Sequence, residues 1–254
     1  MTSNLPSRHG AERVAAGARW AAVLLIVLLA GCAVGPHANP RDPFEPLNRG
    51  IYKFNDEVDR AVLKPVATAY RDVTPAMLRR GVGNFFGNLQ DAWSFVNNAL
   101  QLKGQAAVES LFRFGVNTFI GLGGIHDVAS EMNIEKHTKD FGHTLGFWGF
   151  APGPYLVLPL LGPSSLRDAA ARVVDLQGDI ASNISHAPTR NAVTVVRIVD
   201  KRADLLKATA MLDAVALDKY TFTRDTYLQS RRSEIFDGNP PEDEADGKLP
   251  AQQN

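Results

Sequence analysis

The sequence predicts a mainly α-helical protein with one helical domain over residues 47–237. Apolar residues recur at helical spacing in several long runs, as in Ile51, Phe54 and Val58. Capping residues, Pro and Gly mark the ends of these runs. No alternating pattern of strand length survives the dense Gly and Pro of residues 121–162, so we expect ordered, irregular backbone there with short extended or helical pieces. The predicted fold class is therefore mainly α.

Residues 1–31 have the three parts of a secretory signal peptide. Three arginines and a single acid come first, and an apolar run from Trp20 to Ala30 follows. This run has about eleven residues, whereas a helix that spans a bilayer needs roughly 20. A cleaved signal peptide is therefore better supported than the alternatives, a transmembrane anchor or a buried helix.

A lipidation site is predicted at the end of this run. Residues 29–32 read Leu-Ala-Gly-Cys, which resembles a bacterial lipobox, and Cys32 is the only cysteine of the chain. We expect Cys32 to be diacylated, and each buried CH₂ of its acyl chains contributes about 0.8 kcal/mol to membrane binding. The alternative is a buried Cys that acts as a small hydrophobe. Ala33 stands where an inner-membrane retention signal would have Asp, so the sequence predicts the outer membrane.

The composition excludes several classes of protein. Lys plus Arg and Asp plus Glu both number 27, which excludes binding to nucleic acid through bulk positive charge. Hydrophobic residues make up 45% of the chain, which excludes wholesale disorder. A single Cys cannot form an intramolecular disulfide or a thiolate zinc site.

The first half of the mature chain predicts a tether and four helical segments. Residues 32–46 contain four prolines that are too closely spaced for a helix, so we expect an extended tether. Lys64-Pro65 marks a helix break, and Thr74-Pro75 is a helix start signal. The predicted helical segments are residues 48–63, 78–89, 91–102 and 105–120.

The second half begins with the irregular segment, in which aromatic residues are interleaved with Gly and Pro. Ser165 is expected to cap a helix whose first turn contains Asp168. Residues 238–254 are rich in Pro, acidic residues and Gln, which predicts a disordered acidic tail. The predicted helices between the cap and the tail are residues 168–175, 178–185, 189–217 and 220–236.

No pattern in the sequence predicts catalysis or metal binding. The chain has no Gly-x-Ser-x-Gly nucleophile motif. Ser164, Asp168 and His186 would have to form any triad, and helix capping already explains the first two. The histidines of the irregular segment lack the short helical spacing of a metal-ligand pair. We therefore expect no catalytic site, no metal and no cofactor.

Four stretches of the sequence resemble the MlaA (VacJ) family of outer-membrane lipoproteins. Together with Cys32 they cover most of residues 32–238 in the expected order, which makes the resemblance specific. The stretches are DPFEPLNRGIYKFNDEVDR (42–60), FRFGVNTFIGLGGIHDVA (112–129), DFGHTLGFWGFAPGPYLVLPLLGPSSLRDAAARVVD (140–175) and DKYTFTRDTYLQSRRSEIFDG (218–238).

The resemblance implies a ring-like helical protein in the inner leaflet of the outer membrane, with an amphipathic channel through its middle. Such a protein withdraws mislocalised phospholipid from the outer leaflet and passes it to a periplasmic carrier of the Mla pathway. A trimeric porin is the implied partner, and no covalent chemistry is involved. Two other interpretations stay open: a passive porin-associated structural lipoprotein, and an esterase that acts on envelope lipid through Ser164.

Two groups of residues are candidates for a role in lipid passage. Gly121, Gly123 and Gly124 follow the Phe-rich helix, where a hinge would tune the opening of the channel. The lipid also needs a polar path for its headgroup and an apolar rim for its acyl chains, which cost about 25 cal/mol per Å² to expose to water. The candidate channel-lining residues, which would alternatively cap turns, are Asn84, Asn88, Asn97 and Asn98.

Overall fold

The computed structural model describes residues 39–241. The predicted signal peptide, Cys32, most of the tether and the acidic tail beyond residue 241 lie outside the described residues. α-Helices make up most of the described part, so the predicted mainly α class is confirmed. The helices are α1 (Glu45–Val58), α2 (Lys64–Val73), α3 (Ala76–Leu100), α4 (Gly104–Phe119), α5 (Val128–Glu131), α6 (Phe141–Phe147), α7 (Leu166–Gly178), α8 (Ala187–Val215) and α9 (Lys219–Ile235).

The chain stays helical through Lys64-Pro65, where the sequence predicted a break. A π-helical turn, Asp59–Leu63, joins α1 to α2, and the Lys64 N–H donates to the Asp59 carbonyl five residues earlier. Pro65 has no N–H, and in a regular helix its ring would clash with the carbonyl four residues before it. The wider turn accommodates both features, so the chain continues as α2.

Helix α3 is one continuous helix of 25 residues, although the sequence predicted two segments that meet near residue 90. Gly81 and Gly87 weaken the helical pattern, but they also let the chain that follows α4 approach closely. An added Cβ would lie 3.0 Å from the Ile125 side chain at Gly81 and 2.9 Å from the Lys136 amine at Gly87. The packing of α3 along α4 therefore outweighs the local signal.

A two-stranded hairpin lies in the segment that was expected to be irregular. Strands β1 (Tyr155–Leu158) and β2 (Gly162–Ser165) pair antiparallel, with Tyr155 opposite Ser165. The strands are too short and too close to Pro residues to give a readable alternation. Ser165 also caps α7, as predicted, because its hydroxyl accepts from the Asp168 N–H at 3.2 Å.

The remaining helix boundaries agree with the sequence to within a few residues for α4, α8 and α9. Thr74 does not cap α3: its N–H donates to the Tyr70 carbonyl at 2.9 Å, which ends α2, and α3 begins at Ala76. The helix predicted over residues 178–185 is a short 3₁₀ turn, Ile180–Asn183.

Buried apolar residues form two small clusters rather than one large core. One lies between α2 and α8, and the other joins the hairpin to α9 through aromatic edge contacts. No helix among residues 39–241 is long and apolar enough to cross a bilayer. The buried members are Ala67, Ala203 and Leu206 in the first cluster, and Tyr155, Val157 and Tyr220 in the second.

Asn48→Ala is expected to destabilise the fold by about 1–3 kcal/mol, since it leaves buried hydrogen-bonding groups without a partner. The Asn48 amide donates to Tyr155 O at 3.0 Å and accepts from the Val157 N–H at 2.9 Å, so this side chain holds α1 to β1. Thermal unfolding of the full chain, followed by circular dichroism, measures the loss. Asn191→Ala on the exposed face of α8 is the control, with an expected change within about 0.5 kcal/mol. Equal stabilities of the two variants would contradict this role of Asn48.

Candidate functional site

The described part of the chain has a polar interior. Twenty polar or charged residues are buried among residues 39–241, against eleven hydrophobic ones, six of which are Ala. Soluble domains show the opposite balance, since their large apolar side chains are the ones most often buried. The interior is therefore held by hydrogen bonds and ion pairs more than by apolar packing.

Helix α4 shows this reversal most clearly. One face of the helix is buried and carries Ser110, Arg113 and Asn117. The other face is apolar and open, with Phe112 exposed at 52% and Phe119 at 87%. The sequence predicted a Phe-rich helix here, and the structure turns the polar face of that helix inward. An apolar face of this kind requires a covering other than water.

Arg113 is the centre of the interior between α3 and α4. It is 1% exposed, and its guanidinium pairs with both carboxylate oxygens of Asp127 at 2.9 and 3.0 Å and with Asp91 at 3.3 Å. Burial alone would raise the pKa of Asp127, but hydrogen bonds from Ser130 and Asn117 and the Arg113 charge lower it to about 2. The carboxylates of two separate segments thus hold the buried cation.

A second charged cluster joins α6, α7 and α9. Arg231 binds Asp140 through two hydrogen bonds of 2.6 and 2.7 Å and contacts Asp168 at 3.1 Å. Tyr227 donates to the same Asp168 carboxylate at 2.6 Å. Burial would raise the pKa of Asp140, but the hydrogen bonds from His143 and Arg231 and the Arg231 charge outweigh it and hold that pKa well below its ordinary value.

The four predicted channel-lining asparagines all bond to the chain between residues 117 and 144. Asn88, Asn97 and Asn98 are buried, and the side-chain oxygens of Asn88 and Asn98 accept no hydrogen bond from the described residues. These contacts hold α3 in place, and the role in a channel stays a prediction. The contacts are Asn84 to Ile125 O (2.9 Å), Asn88 to Thr118 Oγ1 (2.9 Å), Asn98 to His137 O (3.1 Å) and Thr144 Oγ1 to Asn97 Oδ1 (2.8 Å).

The predicted hinge glycines lie in a tight turn after α4. Gly123 and Gly124 have φ values of 73° and 93°, which favour glycine. An added Cβ would lie 2.2 Å from the His126 carbonyl at Gly121 and 2.7 Å from the Asn88 side chain at Gly124. Close packing therefore requires at least two of these glycines, and their role as a hinge stays a prediction.

The residues considered for catalysis or metal binding have other partners. Asp168 is held by Arg167, Arg231 and Tyr227, and the ring of His186 caps α8. The histidines of the irregular segment do not join one cluster in the described residues. His137 lies 2.5 Å from Glu109 and near Glu135, and His143 lies 2.9 Å from Glu234. The absence of a catalytic site and of a bound metal stays a prediction.

Sequence reasoning missed the buried arginines. Arg113, Arg224 and Arg231 each anchor a group of carboxylates. Sequence reasoning did not single out Arg113 or Arg224, and it favoured a solvated helix face for Arg231-Arg232. That interpretation is wrong for Arg231, because its side chain is only 14% exposed and pairs with Asp140 and Asp168. A signal existed for Arg113, because it is a single charge between two Phe residues of an apolar helix. Its carboxylate partners lie 22 residues before it and 14 after it, which only the fold reveals.

Asp140→Asn is expected to destabilise the chain by about 1–3 kcal/mol at neutral pH, because it breaks a partly buried, doubly hydrogen-bonded ion pair. The folded pKa of Asp140 lies below its ordinary value of 3.8, so its contribution is present above that value and is lost as the pH falls through the folded pKa. The Tm of the wild type should therefore fall further than the Tm of the variant when the pH is lowered from about 5 to about 2. Asp72→Asn, at an exposed surface pair, is the control. Parallel pH profiles of wild type and Asp140→Asn would contradict the role of this pair.

Comparison with known proteins identifies the family. The MlaA lipoprotein family model matches residues 40–234. The intermembrane phospholipid transport system lipoprotein MlaA of Shigella flexneri is 36% identical over 208 residues, which cover 80% of this chain and 82% of that protein. An uncharacterised protein of Rickettsia typhi is 38% identical over 133 residues, so this chain spans about half the length of that relative (53%).

A solved structure agrees with the same assignment. It comes from work on the structural basis for maintenance of bacterial outer membrane lipid asymmetry and superposes with a TM-score of 0.68 at 34% identity. The match covers 78% of this chain and 99% of the other. Since the family model spans most of the chain and the fold agrees, the chain belongs to the MlaA lipoprotein family.

Proposed function

We propose that this chain is an outer-membrane lipoprotein, anchored through diacylated Cys32, that withdraws mislocalised phospholipid from the outer leaflet. Its ring-like body lies in the inner leaflet beside a trimeric porin, and the lipid passes through an amphipathic channel to a periplasmic carrier. No bond of the lipid is made or broken, so the chain acts as a transporter and not as an enzyme.

The reversed polarity of α4 is the observation that carries this proposal. Val108, Leu111, Phe112 and Phe119 are exposed on one face, and exposing apolar surface to water costs about 25 cal/mol per Å². Acyl chains remove that cost. The buried face of the same helix is occupied by bonds within the protein, because Arg113 pairs with Asp91 and Asp127, and Asn117 donates to Asp127. Helix α4 thus offers its apolar face to the acyl chains of a phospholipid.

The buried contacts of Asp42, near the start of the described residues, are consistent with a membrane anchor at Cys32. Asp42 is buried, accepts from Asn48 at 2.8 Å and from the Tyr220 hydroxyl at 2.5 Å, and pairs with Arg224 at 3.3 Å. Asp42 lies ten positions after Cys32 in the chain. Because an extended chain spans at most about 3.5 Å per residue, acylated Cys32 would keep this cluster within about 35 Å of the lipid surface.

Deletion of the gene is expected to cause phospholipid to accumulate in the outer leaflet. Labelling of surface-exposed phospholipid headgroups on intact cells measures this, with wild type and Cys32→Ala as complementing genes. Wild type should clear the surface and Cys32→Ala should not, because the unacylated chain loses its anchor. Ser164→Ala should clear lipid like wild type, since the transporter needs no nucleophile.

Two outcomes would contradict the proposal. A clean surface in the deletion strain, with no redundant system present, would favour a passive porin-associated lipoprotein. Full loss of clearance by a folded Ser164→Ala variant would favour an esterase.

Replacing Gly123 and Gly124 together with Ala is expected to change lipid flux while the protein level stays normal. Both residues have positive φ, and the new Cβ at Gly124 would press on Asn88, so the turn after α4 would shift. Clearance of surface phospholipid, normalised to protein level, is the measurement.

Gly162→Ala is the matched control for this variant. Its φ of 83° imposes similar backbone strain, and an added Cβ would meet open space at the start of β2. Unaltered flux in the double variant with the fold intact would exclude the hinge, as would an equal change in the control.

A further inference from the structure

A cavity of about 420 Å³ lies between α9, the loop before β1 and the start of α7. Its lining combines two kinds of chemistry. Apolar side chains from the loop and from the end of α9, including Phe150, Ile235 and Phe236, form one part of the wall. Arginines line the other part, and they are Arg41, Arg167, Arg231 and Arg232.

The cationic part of this wall is built into the fold. Arg167 is 8% exposed, and its guanidinium is fixed by the Asp168 carboxylate at 2.9 Å and by the Phe150 carbonyl at 3.2 Å. Arg231 is fixed by Asp140 and Asp168. These bonds hold the planar groups in place, as recognition of an oxyanion requires.

Arg167 has more N–H donors than its partners among the described residues accept. Of the five N–H donors of a guanidinium, Nε and Nη2 of Arg167 bond to Asp168 and Nη1 donates to the Phe150 carbonyl. Arg167 therefore keeps these partners and retains N–H groups for a further oxyanion.

On this basis we propose that the cavity binds a phosphate group that is attached to an apolar chain. Charge-assisted bonds from the arginines hold the phosphate oxygens, and the apolar wall at Phe150, Ile235 and Phe236 covers the adjoining glycerol and the first carbons of the acyl chains. The inference rests on the proposed function, and it gives the phospholipid headgroup a specific resting place beside α9. The cavity volume is of the size found for small-molecule sites.

Calorimetric titration of the detergent-solubilised full chain tests this site. The probes are dihexanoyl phosphatidylglycerol below its micelle concentration, sn-glycerol 3-phosphate and inorganic phosphate. The short-chain lipid should bind about tenfold more tightly than either free phosphate, because only the lipid buries carbon against the apolar wall. Equal affinities for the three probes would show that the cavity binds phosphate without using its apolar wall, and this would overturn the proposal.

Variants at the rim separate the two parts of the site without removing the ion pairs of Arg167 and Arg231. Arg41→Gln combined with Arg232→Gln should weaken binding of the lipid and of sn-glycerol 3-phosphate by about tenfold. Phe236→Ala should weaken binding of the lipid several-fold and leave that of sn-glycerol 3-phosphate unchanged. Arg172→Gln, an equal loss of charge on the exposed face of α7, is the control and should bind like wild type.

A failure of the proposed phosphate site can be distinguished from a failure of the proposed transport function. If the double Arg variant and the control bind the lipid equally while wild type still clears surface phospholipid, the site is wrong and the transport function stands. If wild type clears no lipid from the surface, the transport function fails whatever the titration gives.

Discussion

The burial of charge between helices is the constraint on which the rest of the structure depends. Arg113 is 1% exposed, so the cost of removing its charge from water has to be offset by carboxylates. Asp91 comes from α3 and Asp127 from the turn before α5, and pairing with both fixes these elements around α4. Arg231 acts in the same way for α6, α7 and α9, through Asp140 and Asp168.

A polar interior determines the character of the outer surface. Helices with one apolar and one polar face that turn the polar face inward must expose the apolar one, as α4 does. Such a surface suits contact with acyl chains, although no helix among residues 39–241 is built to cross the bilayer. The arginines that stabilise the fold at α9 also line its cavity, so one set of charges serves both stability and the proposed recognition of phosphate.

Local signals predicted most helices well, and they failed where tertiary contacts outweighed them. Ser165 caps α7 because the hydroxyl and the N–H that it accepts from are three residues apart. The predicted helix break at Pro65 is wrong because a wider π-helical turn, Asp59–Leu63, accommodates the proline ring and the absence of its N–H. The hairpin was missed because its four-residue strands are stabilised by Asn48, which lies 107 residues before Tyr155. The candidate Asn and Gly residues were found from residue type alone, and the close contacts that surround them required the fold.

The sequence by itself determined the helical class, the lipidation motif at Cys32 and the family, because these depend on short-range periodicity and on ordered motifs. Only the tertiary structure decided which face of each helix lies inside. An amphipathic pattern defines two faces, but it does not say which one is buried when the surroundings are not water. That choice followed from the ion pairs of Arg113 and Arg231, whose partners are far apart in the chain and meet only in the folded protein.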